Sequence, residues 1–111
     1  MTGGPGPATT RPVVAMVTDL MDQSRIRAAI PDVAFVREPG ATAGAAVVVV
    51  DLGRSADRIA EIRAMTAGRI IAFGAHVDDA ALAAARAAGA DVVLPRSRFF
   101  HDPAAAVRAA R

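Results

Sequence analysis

The chain has no cysteine, lysine, tyrosine or tryptophan in its 111 residues. Without cysteine there are no disulfides, no thiolate zinc sites and no thiol nucleophile. Without lysine, Schiff-base chemistry and the phosphate-gripping lysine of a P-loop are excluded. No apolar run approaches the roughly 18 residues that a membrane span requires. The apolar run at residues 45–50 has the length of a buried strand. The N-terminus has neither the basic region nor the apolar stretch of a secretory signal, which points to a cytoplasmic protein. Phenylalanine is the sole aromatic type, with four copies, so base-stacking platforms are scarce.

What is present is apolar and arginine-rich. Apolar residues make up 53% of the chain, enough for one domain with one modest core. All thirteen basic residues are arginine and alanine dominates, a usage that suggests a GC-rich bacterial genome. The pI of about 10.9 resembles that of a nucleic-acid binder, but the net charge is only +2. The pI is high because arginine titrates late. The arginines alternate with acids and form no basic run, which argues against nucleic acid as a partner.

Residues 1–11 (MTGGPGPATTR) are rich in Gly, Pro and Thr and read as a flexible leader. The domain proper is expected over residues 12–111, where strands and helices alternate. PVVAMVT (12–18) reads as a strand. Asp19 is then a plausible N-cap, with Asp22 in the first helical turn. The helix runs to about Ile30, with Met21, Ile26 and Ile30 on one face, and Pro31 ends it. VAFVR (33–37) is a second strand, and the turn-rich residues 38–44 lead to a third, AAVVVVD (45–51). Its unbroken apolar run suggests a parallel strand covered on both faces. Ser55 is expected to cap a helix reaching about Thr66, with Ile59, Ile62 and Met65 as its buried stripe and Gly68 as its stop. RIIAFG (69–74) is a fourth strand. Asp78 or Asp79 caps the next helix, which Gly89 ends. DVVLP (91–95) is the fifth strand, and Asp102-Pro103 opens a last helix.

This series predicts an α/β domain, a three-layer, open, parallel five-stranded sheet of flavodoxin-like order 2-1-3-4-5. The second helix is shortened or missing, because residues 38–44 leave room for one turn at most. The sheet face beneath is expected to be thinly covered and so to offer a contact surface.

In such sheets ligands sit beyond the carboxyl ends of the strands. There the stretch VVVVDLGR (47–54) drives four valines into one aspartate, Asp51. A carboxylate at the edge of so apolar a segment is costly without partners or a role. Asp19 and Asp51 should converge there, with Arg96 or Arg98 close by. The segments VVVVDLG, IIAFGAHVDDAALAAARAAGAD and VVLPRSRF resemble the receiver domain of two-component response regulators, over residues 13 to about 111. The resemblance implies Asp51 at the phosphoacceptor position, Asp19 at the second position of a magnesium-binding acidic pair, and Gly53 where a backbone carbonyl reaches the metal. It also implies substitutions: Thr18 for the first acid, Gly74 for a Ser/Thr, Arg96 for a lysine, Ser97 for the proline after it, and Val93 for the aromatic switch residue.

Two carboxylates and a carbonyl would leave weak magnesium affinity, and otherwise no cofactor is implied. Arg96 favours a bidentate grip on a carboxylate, so a permanent pair with Asp51 or Asp19 is expected. Gly74 supplies no hydroxyl for a phosphoryl oxygen, and Val93 has no aromatic rotamer to switch. The expected protein is therefore a degenerate receiver, or pseudo-receiver: a signalling or interaction module, not an enzyme, and not switched by phosphorylation. Its partner would be another protein or a second copy in a homodimer, with no membrane contact. Two alternatives stand beside it: a working phosphoacceptor using Asp51 with magnesium, and a small flavodoxin-like enzyme or ligand-binding domain. No GxGxxG, P-loop or G-x-S-x-G motif supports the latter. His76 and His101 read as ordinary loop and helix-start histidines, and Met16, Met21 and Met65 as core. Of Phe99 and Phe100, one should be buried and the other half exposed as a partner anchor.

Overall fold

The computed structural model describes residues 13–111, so the expected leader and the first residue of the expected domain lie outside the described residues. Five strands, β1 (Val13–Met16), β2 (Ala34–Phe35), β3 (Val47–Asp51), β4 (Arg69–Gly74) and β5 (Val92–Pro95), form one sheet. The order is β2-β1-β3-β4-β5 and every pairing is parallel. This is a flavodoxin-like α/β fold. Six helices surround the sheet: α1 (Leu20–Ala29), α2 (Leu52–Ser55), α3 (Ile59–Met65), α4 (Asp79–Ala88), α5 (Arg96–His101) and α6 (Pro103–Ala110).

Strand periodicity divides the core in two, because successive side chains point to opposite faces. Val13, Ala15, Val47, Val49, Ile71 and Phe73 pack with Ile26, Phe99, Phe100 and Val107 on one face. Val14, Met16, Val48, Val50, Ile70 and Ala72 pack with Leu52, Ile59, Ile62 and Ala85 on the other. The third strand is fully buried on both, as its unbroken valines require. Gly89 ends α4 at φ 121°, a left-handed conformation that glycine adopts without a Cβ penalty. A Cβ there would also lie 2.7 Å from Arg63.

Several local expectations are corrected. The connection between β2 and β3 does hold a single 3₁₀ turn, Pro39–Thr42. The sheet beneath is nevertheless well covered: Val14, Met16, Val48 and Val50 are all buried. The turn inserts Pro39 and Thr42, α3 packs against the turn, and Arg58 ties Glu38 to Glu61. Ser55 caps no helix with its side chain. The chain turns helical at Leu52, directly after β3, because Asp51 accepts the Gly53 amide and serves as the N-cap itself. Met21 and Met65 are exposed rather than core; Asp22 takes the inward position on α1. Phe99 and Phe100 are both buried. An additional helix, α5, rolls them under the sheet onto Phe73, with ring centroids 4.9 and 5.1 Å away. Neither is therefore a half-exposed anchor.

Candidate functional site

The carboxyl edge of the sheet collects three aspartates and one arginine. Asp19 follows β1 and caps α1, its Oδ1 accepting the Asp22 amide at 2.9 Å. Asp51 ends β3 and caps α2, its Oδ1 accepting the Gly53 amide at 2.9 Å. Both use the preference of a helix start for a side-chain acceptor and a negative charge. Asp51 is 7% exposed, so it is a charge held at the boundary of the core.

Arg96 opens α5 immediately after β5 and reaches back across the edge. Its Nη2 donates to Asp22 Oδ1 in a charge-assisted hydrogen bond. Asp22 is almost fully buried, whereas the Arg96 side chain is 45% exposed. The expected pairing with Asp51 or Asp19 is thus corrected to Asp22. With Asp19 already filling the cap, the carboxylate three positions on is left over to face the core side of α1, where a guanidinium can meet it. The Asp22 hydrogen bond raises the Arg96 pKa against the opposing effect of burial, and the charges of Asp22, Asp51 and Asp19 add to the rise. All three carboxylates therefore act on this one cation. Its planar face also lies over Phe100 and Phe73, at 4.9 and 5.7 Å from the ring centroids, a favourable cation–π arrangement.

The other substituted positions shape the edge without adding polar groups. Gly74 ends β4 and is buried. A Cβ built there would meet Leu52 Cβ and Cδ1 at 3.2 Å, so Leu52 occupies the space around the position where the receiver resemblance expects a hydroxyl. Val93 is buried within β5 opposite Ala72. Thr18 is exposed beside Asp19, and Ser97 is exposed on the first turn of α5. Arg98 and His76 are exposed and form no ion pair among the described residues. Gly53 meets Asp51 through its amide, and a Cβ on it would lie 3.2 Å from Asp51 Oδ1.

These donors fit a magnesium ion poorly. Asp19 and Asp51 each commit one oxygen to a backbone amide, Asp22 is held by Arg96, and a guanidinium sits among them. Among the described residues no three His, Asp or Glu side chains converge on a metal position. No chemical step is assigned to a metal here.

Asp22 was missed as a site residue because an acid in a first helical turn reads as a dipole partner. The signal that could have found it is the doubling of acids at Asp19 and Asp22, where one cap suffices. No family model matches the chain, and no curated protein matches it. Among the described residues no helix is long and apolar enough to cross a membrane.

Proposed function

We propose that this domain is a receiver-like signalling or protein-interaction module whose carboxyl-edge site is neutralised from within and not switched by phosphorylation. The observation that carries this reading is the Arg96–Asp22 pair. One N–H of the cation that would otherwise meet a phosphoryl group at Asp51 is directed to the buried Asp22 carboxylate instead. Leu52 against Gly74 and Val93 in place of an aromatic support the same reading, because they remove the hydroxyl that would hold the phosphoryl group and the ring that would report it. The two-component context is inherited from the sequence resemblance. A protein partner or a second copy would meet the same edge, where Leu20, Met21 and Val77 stand 77–78% exposed around the carboxylates.

A working phosphoacceptor is the second reading, and one observation favours it. Among the described residues the only hydrogen bond to Asp51 comes from Gly53, which leaves its other oxygen available for chemistry. The test separates the two. After incubation with magnesium and acetyl phosphate the protein should gain no mass at Asp51, and with magnesium and beryllofluoride it should melt at an unchanged temperature. A stoichiometric phosphoryl adduct mapped to Asp51 would establish the second reading instead.

A further inference from the structure

On the flank between α1 and α5, next to the acidic edge and sharing Arg96 with it, Arg25, Arg96, Ser97, Phe100 and His101 line an open pocket of about 360 Å³. Its chemistry is opposite to that of the edge. Arg25 lies over the Phe100 ring at 4.3 Å from the centroid, and Arg96 lies over the same ring at 4.9 Å. The two guanidinium carbons are therefore no farther apart than those two distances combined. Two like charges on one ring repel each other unless an anion joins them.

The compensation within the protein is partial. Asp22 engages Arg96 alone, and among the described residues no carboxylate lies within ion-pairing distance of Arg25. Arg96 uses one N–H on Asp22, and its remaining donors have no protein acceptor among the described residues. Ser97 and His101, whose side chains can also donate, complete the lining. Together these side chains offer more N–H and O–H donors than the roughly four lone-pair sites of a single carboxylate can accept. They suit the three terminal oxygens of a phosphate, which guanidinium forks grip in a bidentate manner.

We infer that this pocket binds a phosphate monoester or free phosphate, non-covalently, between Arg25 and Arg96. The volume suits a phosphate carrying a small organic group. Binding here forms no bond at Asp51, so the inference stands or falls separately from the proposed function.

The test is a titration of the ¹⁵N-labelled full chain at constant ionic strength with inorganic phosphate, glycerol phosphate, and acetate. Saturable amide shifts around Arg25, Ser97 and His101 are expected for the phosphates, with dissociation constants on the order of 1 mM and weaker acetate binding. Arg25 is exposed, so Arg25→Gln should fold normally. It should weaken phosphate binding by roughly tenfold, the loss of one charge-assisted contact. Arg54→Gln, an exposed arginine elsewhere, should leave binding unchanged. Equal affinity for the two phosphates identifies the free ion as the ligand, and tighter glycerol phosphate binding identifies an ester; both uphold the site. Shifts that never saturate, or equal affinity in Arg25→Gln and the unaltered chain, would overturn it.

Discussion

Two arginine–aspartate pairs, at opposite ends of the sheet, are built on different principles. At the amino end Arg63 uses four of its five N–H donors. Its Nη1 reaches Asp91 Oδ2 at 3.0 Å and the Gly89 carbonyl at 3.3 Å, and its Nη2 reaches the carbonyls of Thr66 and Gly68 at 2.9 and 2.8 Å. Asp91 in turn accepts the Ile70 amide at 2.8 Å. One guanidinium thus ties the end of α3, the turn before β4, the end of α4 and the start of β5. At the carboxyl end Arg96 makes one hydrogen bond among the described residues, to Asp22, and its guanidinium lies over two aromatic rings. The heavily bonded pair fastens the fold. The lightly bonded pair neutralises a buried charge and keeps donors facing outward, as a site requires and a fastener does not.

The packing around the two ends follows the same division. A Cβ at Gly68, beside Arg63, would fall 2.3 Å from the Ala45 carbonyl oxygen, a backbone contact that cannot yield. A Cβ at Gly74, at the other end, would meet the Leu52 side chain at 3.2 Å, which can give by a few tenths of an ångström. The Arg63 cluster is closely packed and its carbonyls are satisfied, whereas hydrogen bonding around Arg96 at the carboxyl edge is incomplete. That agrees with the general placement of ligands in parallel sheets.

Removing each arginine tests the contrast directly. Arg63→Ala should be the most damaging, costing about 2–3 kcal/mol in urea unfolding, because three carbonyls and a carboxylate lose their partner together. A loss no greater than that of Arg96→Ala would erase the distinction between fastener and site. Arg96→Ala should cost about 1–2 kcal/mol: it strands the Asp22 carboxylate, but the exposed position lets water reach the vacancy. An unchanged melting temperature would mean that the pair contributes nothing to the fold.

The smallest effect is the pH dependence of the amino-end pair. Burial alone would push the Asp91 pKa up. The Ile70 amide, the Arg63 hydrogen bond and the charges of Arg63 and Arg69 outweigh it and hold the pKa below the ordinary 3.8. A depressed carboxylate stabilises the folded state in full above its unfolded pKa, and that stability is lost as pH falls through the lower folded value. Urea midpoints should therefore fall more steeply below pH 4 in the unaltered chain than in Asp91→Asn. Parallel slopes for the two proteins would show that Asp91 titrates alike in both states.

Reading the sequence against the structure separates local from long-range information. The strand runs, the caps at Asp19, Asp78 and Asp102, and the stop at Gly89 all stand in the chain because each depends on neighbours within a few residues. The acidic edge was legible in part: Asp19 and Asp51 do lie there, since strand ends and helix starts are set by the same local signals. The helix over Arg96–His101 was missed because RSRFFH carries no helical periodicity of its own; it forms because Phe99 and Phe100 find Phe73 across the sheet. Met21 and Asp22 exchanged their expected roles for a similar reason. Which neighbour faces the core on α1 is set by the approach of Arg96, a residue 74 positions away.

The sequence by itself therefore determined the number, order and parallel arrangement of the strands and the presence of carboxylates at their ends. Alternation and capping are properties of adjacent residues and need no partner to be read. Only the tertiary structure decided which carboxylate the arginine takes, that both phenylalanines go inside, and that Arg25 joins Arg96 over one ring. Pairings of that kind depend on distances between segments far apart in the chain, and folding alone brings those segments together.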